Sequence, residues 1–178
     1  MIWNVPYYSQ RVNVTDADWQ WRACGVACVA MVLAHRGTAI SLDALIEEGR
    51  AIGAYRDTIG WVHDGLVKLA AQHGVALMRK EFKGEGENGA QLLDVGVNEI
   101  VAAVEEGRTV LVSAAKGFDD ATKPHLVLVV GFEIEEGVVK GLYYHDPDAY
   151  TEKEGKGQFV TLDRFKRFWR KLAVFEAL

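Results

Sequence analysis

The chain is poor in cysteine and proline. Cys24 and Cys28 are its two cysteines among 178 residues. A pair four positions apart makes no disulfide framework, and neither zinc-ligand spacing nor a redox motif occurs. With only three prolines there is no proline-rich linker or tail. No apolar stretch approaches the roughly 20 residues of a membrane span. The opening Met1-Ile2-Trp3-Asn4-Val5-Pro6 lacks the basic-then-apolar order of a secretory signal. Positive charge is not in excess either. The formal net charge of -5 argues against nucleic acid and anionic membranes as partners. The basic residues near the end, Arg164, Lys166, Arg167, Arg170 and Lys171, read as a solvated helix face. Without repeats or linkers, residues 1–178 are expected to form one domain without metal or other cofactor. The expected setting is reducing and cytoplasmic, and the oligomeric state is left open.

What is present is globular: 49% of the residues are apolar and 25% charged. A chain of this size buries about 70% of its unfolded surface, enough for a core without staples. Residues 1–10 read as extended, with Pro6 suited to an edge, and residues 11–21 as a polar loop carrying Trp19 and Trp21. The run Cys24 to Arg36 suits a helix buried on most faces, closed by Gly37. Ser41 caps a second helix with Leu42, Leu45 and Ile46 as its apolar stripe. Asp57 or Thr58 is expected to cap a third, Trp61 to His73, and a fourth is expected from Val97 to Glu106 after a glycine- and glutamate-rich loop, Lys83 to Gly89. Strands are expected at Val75–Phe82, Thr109–Ala115 and Leu172–Phe175. Between them, Pro124–Phe132 and Val138–His145 form a hairpin turning at Glu135-Glu136-Gly137. Thr161 caps a last helix, Leu162 to Trp169. Helices come first and strands mostly later, an α+β layout.

Chemistry centres on Cys24. At a helix start, unpaired N–H groups and the positive dipole end favour a thiolate. Of the five histidines, His35 lies along the same helix, and His63 and His73 lie on different faces of another and make a poor metal pair. His125 opens an apolar strand. If the hairpin turns about Glu135-Glu136, Asp146 lies directly across from His125, side chains on one face. Its carboxylate would then take the Nδ1 proton and leave Nε2 for the thiolate. In the same register His145 faces the other way. The bland alternative is that His125 and Asp146 merely close the hairpin's open end. Cys28, one turn beyond Cys24, reads as a small packing residue.

The segments Val5-Pro6-Tyr7-Tyr8-Ser9-Gln10 and Cys24-Gly25-Val26-Ala27-Cys28-Val29-Ala30-Met31, with His125 opening a valine-rich strand and Asp146-Pro147, resemble the papain-like cysteine peptidases. The likeness is nearest to the bacteriocin-processing, double-glycine leader peptidases in a free-standing form. It implies a papain-like fold, with an N-terminal helical part whose nucleophile helix packs on a C-terminal antiparallel β-sheet. It also implies a thiol hydrolase that cleaves a peptide or small amide through an acyl-enzyme. Cys24 would be the nucleophile, His125 the general base, Asp146 its orienter and Gln10 an oxyanion donor. Fourteen positions separate Gln10 from Cys24, more than the family usually shows, so Gln20 is a competing donor. The same triad would serve an acyl transferase or amidase, and a catalytically silent peptide-binding module would keep the fold.

Overall fold

The computed structural model describes residues 1–119 and 123–177. A 3-10 turn, Trp19–Trp21, precedes α1 (Cys24–His35) and α2 (Leu42–Ala51). A small hairpin of β1 (Tyr55–Arg56) and β2 (Gly60–Trp61) then leads into α3 (His63–Gln72), β3 (Leu77–Glu81) and α4 (Gly86–Glu105). The second half contains β4 (Val110–Ala115), β5 (Pro124–Glu135), β6 (Val138–His145), α5 (Glu152–Gly155), β7 (Gln158–Thr161), α6 (Leu162–Phe168) and β8 (Trp169–Glu176). Six of the strands form one sheet in the order β3-β8-β4-β5-β6-β7, antiparallel throughout.

Alternation along the central strands divides the apolar side chains between two cores. Leu111, Leu126, Leu128 and Val174 meet the side chains of α1, α2 and α3. Val110, Val112, Val127, Val129 and Phe175 meet those of α4 and α6 on the other face. Helices on both faces explain why β4 and β5 read as unbroken apolar runs. Every residue of α1 from Gly25 to Leu33 is buried, as its small and aliphatic composition requires. Ser41 accepts a hydrogen bond from the Ala44 N–H, and Thr161 from that of Arg164, so both predicted caps form. No helix among the described residues is long and apolar enough to cross a membrane.

Four expectations are corrected. Residues 1–10 form no strand; their β contact is a single bridge from Ile2 to Gly131. Asp57 and Thr58 do not cap a helix but sit in the turn of the β1–β2 hairpin, where Gly60 takes φ 87°. The helix beyond starts at His63, after Val62, which supplies no side-chain cap. The fourth helix begins at Gly86, eleven positions before Val97. Gly86 and Gly89 fall in the expected loop, but the helix runs through them, and its glycines permit close packing: a Cβ on Gly96 would lie 2.5 Å from the Trp169 ring, and one on Gly89 would lie 2.5 Å from the Gly84 carbonyl oxygen.

The hairpin register also differs. Leu128 pairs with His145 and Glu135 with Val138, two residues away from the expected pairing. The reason is the turn. Glu136 and Gly137 both have positive φ, 51° and 78°, giving a two-residue loop of the twisted kind that suits hairpins. Extra residues at Val130 in β5 and Lys140 in β6 offset each other. Asp146 is therefore not across from His125 but one residue past the end of β6.

Gly65 gives the tightest backbone approach between α3 and the loop before β1: a Cβ there would lie 2.5 Å from Ala54 Cα. Gly65→Ala is expected to cost about 1–3 kcal/mol in urea unfolding. An unchanged midpoint would show that α3 can move away from Ala54 freely.

Candidate active site

Cys24 is the first residue of α1, and Ala23 before it provides no side-chain cap. The positive end of the helix and its unpaired N–H groups therefore lie at the thiol. The approach to Cys24 is fixed by Trp61, whose indole N–H donates to the Arg22 carbonyl at 2.6 Å. The Trp61 ring occupies space that two glycines leave open. A Cβ on Gly49 would come 2.6 Å from its Cζ3, and one on Gly25 3.0 Å from its Cβ.

His125, the second residue of β5, is buried with 6% of its surface exposed. Its Nε2 lies 2.7 Å from Asp146 Oδ1, and the ring and the Cys24 thiol are near enough that each shifts the other's ionisation. With Nε2 taken by the carboxylate, Nδ1 is the nitrogen left for the thiol, the reverse of the expected use of the ring. Asp146 is held as a platform. Its Oδ1 accepts from the Asp148 N–H at 2.8 Å, its N–H donates to Gly155 O at 2.7 Å, and its carbonyl accepts from Tyr7 Oη at 2.8 Å.

The ionisations follow from this packing. Burial pushes the Cys24 thiol up, but the hydrogen bond and charge of His125, with backbone hydrogen bonds at Leu126 and Gly25, bring it below its ordinary value. Burial disfavours charge on His125, yet hydrogen bonds to Asp146 and Cys24 and their charges raise it to about 10. Burial raises Asp146, and the bond and charge of His125, the Asp148 N–H and Lys116 overcome that and hold it below the usual carboxylate range. The direction is a thiolate–imidazolium pair backed by a carboxylate. One turn along, Cys28 is fully buried, its sulfur 3.6 Å from Leu126 O, and burial followed by the charges of Cys24 and Asp146 holds it as a neutral thiol.

Cys24 and His125 open into a cleft of about 820 Å³, walled by the β1–β2 hairpin and the start of α3. Trp21 lines this cleft, whereas Trp19 packs on Tyr55 and Trp61 with ring centroids 4.8 and 6.0 Å away. Gln10 does not line it. Gln10 is buried, and its amide nitrogen donates to Gln20 O at 3.0 Å and Asp148 Oδ1 at 3.2 Å, tying the loop before Cys24 to the segment after Asp146. The Gln20 amide is turned into its own loop, donating to Val14 O at 2.9 Å.

The sequence reading missed Asp148. Besides Gln10, its carboxylate binds the buried Arg11 and also Lys116, so one anion gathers two distant segments behind the His125 partner. The signal was available in Asp146-Pro147-Asp148, where a carboxylate two residues before an N–H can close an Asx turn. Of the other histidines, His145 is buried, with Nε2 donating to Val5 O at 3.1 Å and Nδ1 accepting the Gly157 N–H at 3.1 Å. His73 lies 2.6 Å from Glu48, and His63 lines the cleft. Among the described residues no group of His, Cys, Asp and Glu could hold a metal ion.

Solved structures share this fold. A protein of Bacillus anthracis described as a C39-like peptidase superposes with a TM-score of 0.68 at 16% identity, over 98% of this chain and 95% of that one. The peptidase domain of Streptococcus ComA, a bifunctional ABC transporter of a quorum-sensing pathway, gives 0.60 at 23% identity, over 88% and 92%. A double-glycine motif protease from an AMS/PCAT transporter, solved with its leader peptide, gives 0.58 at 16% identity, over 99% and 94%. No curated protein matches the chain in sequence. The profile of the Peptidase_C39 like family matches residues 2–174. With a papain-like α+β fold and a cysteine at the head of its buried helix, the chain belongs to the Peptidase_C39 like family and is a cysteine peptidase-type enzyme.

Proposed function

We propose that the protein hydrolyses a peptide bond through Cys24, His125 and Asp146 by way of an acyl-enzyme. The observation that carries this reading is the buried His125 ring, 2.7 Å from the Asp146 carboxylate and lining the same cleft as Cys24. The thiolate attacks the scissile carbonyl carbon, and the oxyanion meets the Cys24 backbone N–H at the head of α1. His125, charged at this stage, gives its Nδ1 proton to the leaving amine as the C–N bond breaks. The neutral ring then takes a proton from water, and the resulting hydroxide releases the acid and frees the sulfur. Asp146 keeps the imidazole oriented and stabilises its charged form.

Gln10 is the proposed second oxyanion donor. Its amide N–H groups are committed to Gln20 and Asp148 in the resting protein, so it must release one of them to meet the oxyanion. A peptide substrate is favoured by the size of the cleft and by a relative of the same fold that was solved with a leader peptide. A reducing, cytoplasmic setting would keep Cys24 a free thiol.

Cleavage of a quenched peptide library, followed by mass spectrometry of the products, tests the reading. Cys24→Ala should abolish turnover, and Asp146→Asn should lower kcat by about 10²–10⁴ with the circular dichroism spectrum unchanged. Gln10→Ala should lower kcat by about 10² while Gln20→Ala leaves it within severalfold. Full activity in Asp146→Asn would remove the triad, and amine adducts in place of acids when a free amine is added would make the protein a transferase.

The pH dependence has a defined sign. Activity requires Cys24 deprotonated and His125 protonated, so it should rise below the ordinary thiol range and fall near pH 10, where His125 loses its proton. In Asp146→Asn the neutral amide no longer favours the imidazolium, and the falling edge should move to lower pH. A falling edge that stays in place would mean that another group sets it.

A further inference from the structure

The cleft carries a charge opposite to that of the chain. The protein has a formal net charge of -5, yet Arg22, Arg56, Arg79, Lys123 and Arg170 line the cleft against Asp57 and Asp64. A second cavity of about 570 Å³ shares His63, Arg79, Ser113 and Arg170 with it and adds Lys83, Lys171 and Glu81. The two cavities adjoin along these shared residues, one containing Cys24 and the other lying at the β3–β8 end of the sheet.

Arg170 lines both cavities because β8 is interrupted there. Ser113 pairs with Leu172, but the next residue, Ala114, pairs with Trp169, so Arg170 and Lys171 are looped out of the ladder. Lys171 adopts φ 58°, a left-handed conformation that a lysine takes only when its surroundings impose it. The loop is held from the other side, where the Phe82 N–H donates to Lys171 O at 2.8 Å. Insertions of this type redirect side chains at functional sites, and the redirected side chain here is a guanidinium over the cleft.

The neighbouring charges leave it unanswered. Arg79 binds Glu81 and lies 3.5 Å from Asp64, whereas Arg170 forms no ion pair among the described residues. His63, between them, is kept neutral by burial and then by the charges of Arg79 and Arg170, outweighing Asp64 and Glu81. Both guanidinium groups therefore act on the same volume. A planar guanidinium with free N–H groups matches a carboxylate in two parallel hydrogen bonds.

We propose that Arg170, backed by Arg79, forms a specificity subsite that binds a carboxylate of the peptide substrate, supplied by an acidic side chain or by the C-terminal α-carboxylate. The proposal takes Cys24 as the reacting group from the function proposed above, but the binding of the anion does not depend on turnover.

The probes are chloroacetyl di- and tripeptides carrying either Glu or Gln as C-terminal amides, together with the Gln set bearing free C-termini. The rate of Cys24 alkylation is followed by mass spectrometry, with iodoacetamide as the uncharged reference. In wild type the anionic probes should react about fivefold faster than their neutral counterparts at low salt, with the preference shrinking at 0.5 M salt. In Arg170→Gln the ratio should fall to near one while the iodoacetamide rate is unchanged; Arg170→Lys, which keeps the charge but loses the planar fork, should give an intermediate ratio. The faster anionic set tells side-chain from C-terminal recognition. A ratio near one in wild type, or the same ratio in Arg170→Gln, overturns the subsite. Each ratio is internal to one protein, so a Cys24 no more reactive with iodoacetamide than free cysteine would remove the hydrolase reading and still leave the subsite decided.

Discussion

Much of the site depends on the 2.7 Å contact between His125 Nε2 and Asp146 Oδ1. A buried imidazole left alone would stay neutral and would not hold a thiolate beside it. The carboxylate reverses that preference, and the molecule spends many contacts on keeping it in place. Tyr7, Gly155 and the Asp148 N–H fix Asp146 directly. Asp148 in turn gathers Gln10, Arg11 and Lys116. Much of the first 23 residues thus serves as a brace for a carboxylate more than a hundred positions away.

The opposite wall is built by subtraction. Trp61 fits because Gly25 on α1 and Gly49 on α2 have no side chains, and its indole then holds the backbone just ahead of Cys24. The surroundings of Cys24 are therefore set from both directions: the braced carboxylate acts through His125, and the tryptophan acts through Arg22. Neither arrangement uses a disulfide or metal among the described residues.

The sequence made some of this legible and concealed the rest for physical reasons. The cysteine helix, the hairpin and the caps at Ser41 and Thr161 follow from local rules of periodicity and hydrogen bonding. Asp146 was found as the partner of His125 by an argument whose register was wrong. Counting across a hairpin needs the turn, and nothing local shows that Glu136 accepts a positive φ or that Val130 and Lys140 are extra residues. The choice of imidazole nitrogen depends on ring orientation, which packing sets. The early start of α4 was hidden because glycine reads as a helix breaker, whereas Gly89 and Gly96 are there for close approach. Arg170 was read as part of a solvated helix face; its role depends on a break in β8 that only the neighbouring strand reveals.

Cys28 has a consequence of its own. It stands one helical turn from Cys24, with the same side chain and the same backbone conformation, but is sealed in the core beside the Leu126 carbonyl. The chain thus contains a matched pair of thiols in which environment alone pushes one towards the thiolate and the other towards the neutral thiol. A thiol label taken up once would mark the cysteine that meets the cleft, and label appearing at the second cysteine would report that the core beneath the site had opened.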